Sequence, residues 1–183
     1  MDILAALQEI EELKDVPEEQ LNWLISKSEC YSVDEGKTLF APGDPINRLH
    51  IILKGGFTLR LKRNNQFVSV GKFEQNTITG MLPYSRAQSA EAYAEALSDC
   101  QVLSLDEKYF KEMIRDQHEL TTVFVHAMST RIRQFTKREQ QDDKMMALGK
   151  LSAGLAHELN NPSSAVVRSS QELAKLLKVN PEK

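Results

Sequence analysis

Hydrophobic positions at helical spacing mark both ends of the chain. Apolar residues recur every three to four positions between residues 2 and 14, and a second such stretch follows Pro17. Proline fits the first turn of a helix, so the pattern predicts two N-terminal helices within residues 1–28. From about residue 116 the helical period returns, with an apolar stripe of Phe124, Met128, Ile132 and Phe135.

The middle of the chain has a different pattern. Short runs rich in β-branched and aromatic residues alternate there with Gly, Pro, Asn and Asp, which predicts strands joined by turns. The predicted strands are 29–33, 38–40, 49–54, 57–62, 67–73 and 100–105. This number of short strands favours a closed or two-layer roll. The expected fold class is α+β: a jelly roll, or double-stranded β-helix, with flanking helices and a long C-terminal helix.

Composition limits the function classes. Of the 183 residues, 41% are hydrophobic and 27% charged, and the net charge is -3, with no excess of positive charge for nucleic acid or anionic lipid. No apolar run approaches a membrane span, and the acidic N-terminus does not resemble a secretory signal. We therefore expect a cytoplasmic protein without a nucleic-acid or membrane partner.

The cysteines and most histidines suggest no chemistry. Cys30 and Cys100 lie far apart and outside any Cys or His cluster, so we expect buried thiols and no metal site. His50, His118 and His126 lie apart from one another, in a predicted strand and along the long helix. We expect structural roles for these three residues.

The fourth histidine lies opposite the apolar stripe of the C-terminal helix. With Leu148 at 0° on a wheel of about 100° per residue, Leu155 falls at about 340° and His157 at about 180°. The His157 imidazole should therefore face solvent, with Glu158 beside it as a candidate general base. Pro162 removes the backbone hydrogen bond to the Glu158 carbonyl and should bend the helix there.

Residues 148–162 have the sequence Leu-Gly-Lys-Leu-Ser-Ala-Gly-Leu-Ala-His-Glu-Leu-Asn-Asn-Pro and resemble the phosphoacceptor box of sensor histidine kinases. The resemblance implies that His157 is phosphorylated on a ring nitrogen, that Glu158 is the adjacent acid or base, and that Asn161 orients the phosphoryl group. It further implies a homodimer and a response regulator as partner. Residues 142–183 would be the first helix, truncated, of the dimerisation and phosphotransfer domain.

Whether the chain is itself an enzyme stays open. A sensor kinase needs an ATP-binding domain with an asparagine motif and glycine-rich boxes, and the sequence contains neither. We therefore expect the N-terminal part of a longer, ATP-dependent histidine kinase, in which ATP and Mg²⁺ bind to a domain outside this chain. On its own, the chain should not use ATP.

Two segments of the middle region resemble the cyclic-nucleotide-binding domain. They are Val-Asp-Glu-Gly-Lys-Thr-Leu-Phe-Ala-Pro-Gly-Asp at residues 33–44 and Leu-His-Ile-Ile-Leu-Lys-Gly-Gly at residues 49–56. With residues 98–103 they support a resemblance over residues 15 to 140. It implies a sensor domain at residues 29–141, including the helices that follow the roll.

The ligand-binding cassette of that family is altered here. In the family, a short helix presents backbone N–H groups to the phosphate, a glutamate holds the ribose hydroxyl and an arginine pairs with the phosphate. The matching segment is residues 79–87, in which Gly80 keeps its place but Met81 stands at the glutamate position. The arginine position falls on Ala90, followed by the acidic Glu91.

A relocated anion site is the remaining candidate within the cassette. Arg86 would bind the anion, with Ser85 and the Tyr84 hydroxyl beside it. These departures argue against cAMP or cGMP, and the ligand is expected to be changed or lost. The alternative is a non-enzymatic dimerisation or protein-docking module that binds no small ligand.

A transcription factor with a helix-turn-helix is the runner-up architecture. Four basic residues favour it: Arg131, Arg133, Lys137 and Arg138. Against it, Asp142 and Asp143 interrupt the basic patch, and the residues after 141 predict one long helix rather than two short ones around a tight turn.

Overall fold

The computed structural model describes the backbone of residues 2–63 and 65–179, and the side chains of these residues except 63, 135, 138, 139, 142, 153, 156–161, 163–165 and 176–179. The chain divides into two compact units, Met1–Arg131 and Ile132–Lys183. The domain boundaries expected from the sequence, after residues 28 and 141, stay predictions.

Short helices and strands build the first unit. Helices α1 (Ile3–Gln8) and α2 (Glu18–Lys27) precede the roll. The strands in the described residues are β1 (Ser28–Val33), β2 (Thr38–Phe40), β3 (Arg48–Lys54), β4 (Phe57–Arg63), β5 (Gln66–Phe73), β6 (Ile78–Gly80), β7 (Tyr93–Ala96) and β8 (Cys100–Asp106). A 3₁₀ turn (Glu107–Tyr109) and helix α3 (Phe110–Asp116) lead to helix α4 (His118–Val179).

The strands form two antiparallel four-stranded sheets, in the orders β1-β8-β3-β6 and β2-β7-β4-β5. Alternation along β3 assigns the faces of the first sheet. Leu49, Ile51 and Leu53 pack against the helices, whereas Ile52 packs with Phe57 of the second sheet inside the roll. The expected α+β roll with flanking helices is confirmed.

Helix α1 is shorter than its sequence pattern predicts. Asp2 caps it by accepting from the Leu4 and Ala5 N–H groups, but the helix ends at Gln8 rather than near residue 14. Leu7, Ile10, Leu13 and Val16 remain buried, because backbone bonds spanning three residues connect each to the next. A spacing of three is satisfied by consecutive turns as well as by an α-helix, so this part of the prediction is wrong.

Burial corrects two further expectations. Cys100 is buried inside the roll, but Cys30 is exposed on β1, an edge strand of the first sheet. On α4, Leu120 and Phe124 are buried against the roll, whereas Ile132 is 54% exposed. The expectation that Ile132 continues the buried stripe of Phe124 is therefore wrong.

In the described residues, the second unit consists of the remainder of α4, which continues through Pro162 as helix. Its apolar stripe is exposed within the single chain: Leu148, Leu151, Leu155 and Val166 all have more than half of their surface accessible. No helix in the described residues is long and apolar enough to cross a lipid bilayer.

Candidate functional site

Gly80, at the end of β6, lies in tight contact with β3. Its φ is +76°, and a β-carbon there would lie 2.3 Å from the Arg48 carbonyl oxygen and 2.8 Å from Cδ2 of His50. A side chain would meet both a strained backbone and a collision, so only glycine fits. The position that the family resemblance marked as retained thus has a local physical reason.

The segment after Gly80 does not form the short helix of the family's cassette. It makes a turn in which the Ser85 N–H donates to the Leu82 carbonyl at 3.0 Å, and Leu82 itself is buried. Tyr84 occupies the turn with φ +65° and is 66% exposed. The Met81 N–H is bound to the Arg48 carbonyl at 2.8 Å, which removes it as an anion donor.

The four candidate ligand-binding residues therefore lie in one segment but do not converge on one binding site. They are Gly80, Tyr84, Ser85 and Arg86. Ser85 Oγ accepts a hydrogen bond from the Ala87 N–H at 3.3 Å. The Arg86 side chain is exposed and makes no hydrogen bond to Gly80. At the family's arginine position, Ala90 is buried, with its backbone paired to Asp44. The cassette residues present do not fit a cyclic nucleotide in the family's manner.

Arg131, which the sequence places in a basic patch, lies beside the cassette. Arg131 Nη1 donates to the Gly80 carbonyl at 3.0 Å, and Nη2 donates to the Ile78 carbonyl at 3.2 Å. Strand β6 is an edge of its sheet, and these two carbonyls point away from β3 because the alternate residues pair with it. The guanidinium therefore covers the open edge of β6.

Helical periodicity explains why Arg131 reaches the roll. It follows Phe124 by seven residues and Met128 by three, which places all three on the same helix face. Phe124 is buried in the core, and Met128 packs against it. In the sequence, the signal for this contact is an arginine at the position where the apolar stripe of Phe124 and Met128 would continue. The sequence-based prediction placed Ile132 at that position instead.

A polar row crosses the inner face of the first sheet near Gly80. Register places Glu29, Ser104, His50 and Thr79 side by side on four strands. His50 Nδ1 lies 2.6 Å from Ser104 Oγ, which donates to the Tyr31 hydroxyl at 3.1 Å. Burial and, secondarily, the positive charge of Arg48 lower the pKa of His50 to about 4, so the ring is neutral at pH 7.

Sequence comparison agrees with this architecture. Residues 31–117 match the family model described as cyclic nucleotide-binding domain. Over these residues the roll is similar to the cyclic nucleotide-binding domain. Among curated proteins, the Global nitrogen regulator of Synechococcus elongatus is 28% identical over 104 residues, covering 55% of this chain and 47% of the relative. This chain thus spans about half the length of the curated relatives it matches.

Solved structures support the same fold. A cyclic nucleotide-binding domain from Methylobacillus flagellatus has a TM-score of 0.62 at 19% identity, covering 74% of this chain and 79% of that one. The sensor domain of the transcriptional regulator DNR from Pseudomonas aeruginosa has a TM-score of 0.59 at 17% identity, covering 75% of this chain and 95% of that one. At these identities the likeness shows the cyclic-nucleotide-binding fold alone.

The phosphoacceptor candidates lie on α4. The backbone at His157, Glu158 and Asn161 is helical, while their side chains lie outside the described part of the structure. Their assigned roles stay predictions. Among the side chains that the structure describes, no group of three or more His, Cys, Asp or Glu is arranged to hold a metal ion.

Proposed function

We propose that this chain is the sensory and dimerisation part of a two-component sensor histidine kinase. In this proposal the cyclic-nucleotide-binding-like roll regulates autophosphorylation at His157 and subsequent phosphotransfer to a response regulator. The observation that carries the proposal is the phosphoacceptor-like run at residues 148–162, which belongs to the helix that begins at His118 against the roll.

The proposed chemistry is phosphoryl transfer to an imidazole. A neutral ring nitrogen of His157 attacks the γ-phosphorus of ATP in line, the N–P bond forms, the bond to the bridging oxygen breaks, and ADP leaves. Glu158 accepts the ring proton and Asn161 orients the phosphoryl group. ATP and Mg²⁺ are supplied by a catalytic domain outside this chain. The phosphoryl group then passes to an aspartate of the response regulator.

The proposed signal is a small anion bound where α4 meets β6. Arg131 supports this because its guanidinium already lies at Gly80 and holds only neutral carbonyl oxygens. Hydrogen bonds to an anionic acceptor are roughly twice as strong as those to neutral ones, so a phosphate or carboxylate would compete well for the guanidinium. Ligand binding would then act directly on the helix that contains His157.

The exposed apolar stripe of α4 supports a homodimer. Leu148, Leu151 and Leu155 recur at helical spacing and are more than half exposed in the single chain. Pairing this stripe with that of a second copy would remove it from water.

We also propose a cytoplasmic location and the absence of nucleic-acid and membrane partners.

The test of the kinase proposal is phosphorylation in trans. The 183-residue chain is mixed with a histidine-kinase catalytic domain and γ-labelled ATP, and acid-labile label is measured on wild type, His157→Gln and, as a matched control, His126→Gln. Label should appear on wild type and His126→Gln only. Retention of acid-labile label in His157→Gln would refute the assignment.

A transcription regulator is the second candidate, favoured by the match to the Global nitrogen regulator and by the transcriptional regulators among the similar structures. A DNA-binding domain outside this chain would then replace the kinase domain. Fluorescence anisotropy with labelled duplex DNA and the intact protein decides between them. Saturable, sequence-dependent binding together with no label on His157 would favour regulation of transcription over phosphotransfer.

The third candidate is a docking module without a small ligand. The change in melting temperature on adding ligands distinguishes it from a sensor. A sensor gains stability from its ligand by mass action, whereas a scaffold does not. A metabolite panel that includes cAMP, cGMP and sugar phosphates should therefore raise the melting temperature of the chain for at least one compound. A uniformly flat response would favour the docking module.

A further inference from the structure

The hydrogen-bond chain behind Gly80 determines which nitrogen of His50 has its proton. Ser104 has one hydroxyl proton, and it is donated to the Tyr31 hydroxyl. Ser104 Oγ must therefore accept its 2.6 Å bond from His50 Nδ1–H. A neutral imidazole has one N–H, so Nε2 is left as a bare acceptor.

The position of the ring directs this acceptor to the cassette. Cδ2, the atom bonded to Nε2, is the part of the imidazole that lies against Gly80. No described residue makes a hydrogen bond with Nε2. The one buried side-chain nitrogen or oxygen without a partner in the described residues is Ser28 Oγ, so Nε2 keeps access to solvent.

Charge and polarity around the ring indicate what it can bind. The neighbouring inner-face positions Ile52 and Val102 are buried and apolar, so Nε2 is the polar contact that this side of the ring offers to a ligand. A carboxylate or phosphate oxygen would repel the Nε2 lone pair, whereas a hydroxyl or amino group would donate to it. On the other side of Gly80, Arg131 offers positive charge.

We infer that His50 Nε2 is the hydrogen-bond acceptor for a ligand of the roll, and that this ligand combines an anionic group with a hydroxyl or amino donor, as a sugar phosphate does. The inference rests on the proposed sensory role of the roll. It assigns specificity to β3 rather than to the altered segment after Gly80. The anion contacts Arg131, and the donor group contacts His50.

The first test needs no ligand. In the full chain labelled with ¹⁵N-histidine, long-range proton–nitrogen NMR at pH 7 distinguishes the two neutral tautomers, and the spectrum of His50→Gln assigns the signals among the four histidines. The expected result is a protonated Nδ1 and an unprotonated Nε2. The opposite tautomer would overturn the inference. In Ser104→Ala, which removes the acceptor for Nδ1–H, the preference for this tautomer should weaken.

The second test uses paired probes. Ribose 5-phosphate and cAMP are compared with 2-deoxyribose 5-phosphate and 2′-deoxy-cAMP, each titrated to millimolar concentration while Nε2 is observed. A hydroxylated probe should shift Nε2, its deoxy partner should not, and His50→Phe should weaken binding of the hydroxylated probe by about tenfold. Equal shifts for both members of each pair, or no shift with any probe, would overturn the inference.

These outcomes are separable from the kinase proposal. Failure of phosphorylation at His157 would leave the tautomer and the probe-dependent shift of His50 unchanged. Conversely, if His157 is phosphorylated but His50 does not respond to any probe, the kinase proposal stands and only the role assigned to His50 is rejected.

Discussion

Gly80 and His50 are in such close contact that a β-carbon on residue 80 would lie 2.8 Å from Cδ2 of the imidazole. The same β-carbon would lie 2.3 Å from the Arg48 carbonyl oxygen, which cannot move without disturbing β3. The close contact between β6 and the polar residues on the inner face of the first sheet therefore requires a glycine at residue 80.

Gly80→Ala should destabilise the fold by roughly 2–4 kcal/mol, from the positive φ and the collision together. Gly36→Ala is the matched control, because Gly36 has φ +74° but no atom within 4 Å of the place a β-carbon would take, and it should cost only about 1 kcal/mol. Urea unfolding of both variants measures the difference. Equal losses would mean that the contact with β3 contributes nothing.

Stability should fall in mild acid because of His50. Its pKa in the folded chain is about 4, against 6.5 for the unperturbed group. The unfolded chain binds the proton first, so the stabilisation is fully present above pH 6.5 and is lost as the pH falls towards 4. This contribution is at most about 3–4 kcal/mol. Urea unfolding between about pH 7.5 and 4 should show a shallower decline in His50→Gln, and parallel curves would contradict the shifted pKa.

Arg131→Ala should loosen the edge of β6. Loss of the bonds to the Ile78 and Gly80 carbonyls should cost roughly 1 kcal/mol and speed amide exchange of residues 78–81, measured by hydrogen exchange and mass spectrometry. Arg133→Ala is the control, since Arg133 is exposed and has no hydrogen-bond or ion-pair partner among the described residues. The prediction fails if both variants exchange alike.

Leu151→Glu should dissociate the proposed homodimer. Leu151 lies in the exposed apolar stripe, and a buried carboxylate in a helix pair is unfavourable. Lys150→Glu changes the adjacent residue on the opposite face, at about 200° from Leu148, and should leave the dimer intact. Sedimentation equilibrium of both variants gives the masses. A wild-type monomer, or a dimer that survives Leu151→Glu, would contradict the helix pairing.

Tyr84→Gly should stabilise the fold slightly. Tyr84 holds φ +65° without burying its ring, so relief of the backbone strain should outweigh the lost contacts by roughly 0.5–1 kcal/mol. Thermal unfolding compares this variant with Tyr84→Ala, which keeps the strain. A destabilised Tyr84→Gly would mean that the ring makes contacts that exceed the strain.

The sequence predicted the strands whose patterns are long or strongly apolar. Strand β2 was predicted with its observed bounds, and β1, β3, β4, β5 and β8 within one residue at each end. Strands β6 and β7 were missed for physical reasons. Ile78–Gly80 is three residues long and ends in glycine, and Tyr93–Ala96 is rich in alanine and glutamate, which have weak strand propensity.

Site geometry was less accessible from sequence than the fold. Gly80 was identified by resemblance, but its contact with Arg48 depends on strand register, which no local pattern specifies. The same holds for the row that joins His50 to Ser104, 54 residues apart along the chain. Arg131 was visible only as one of several basic residues, because its partners are backbone carbonyls without a sequence signature.

Strand β8 lies between β1 and β3 and pairs with both, although it is the last strand of the roll to be synthesised. The first sheet therefore cannot close until residue 106 has emerged from the ribosome, and β1 must wait about 70 residues for its partner. Such non-local pairing is intrinsically slow. During translation, the surface that receives Leu120 and Phe124 is completed only shortly before α4 itself appears, so the helix and its binding surface become available almost together.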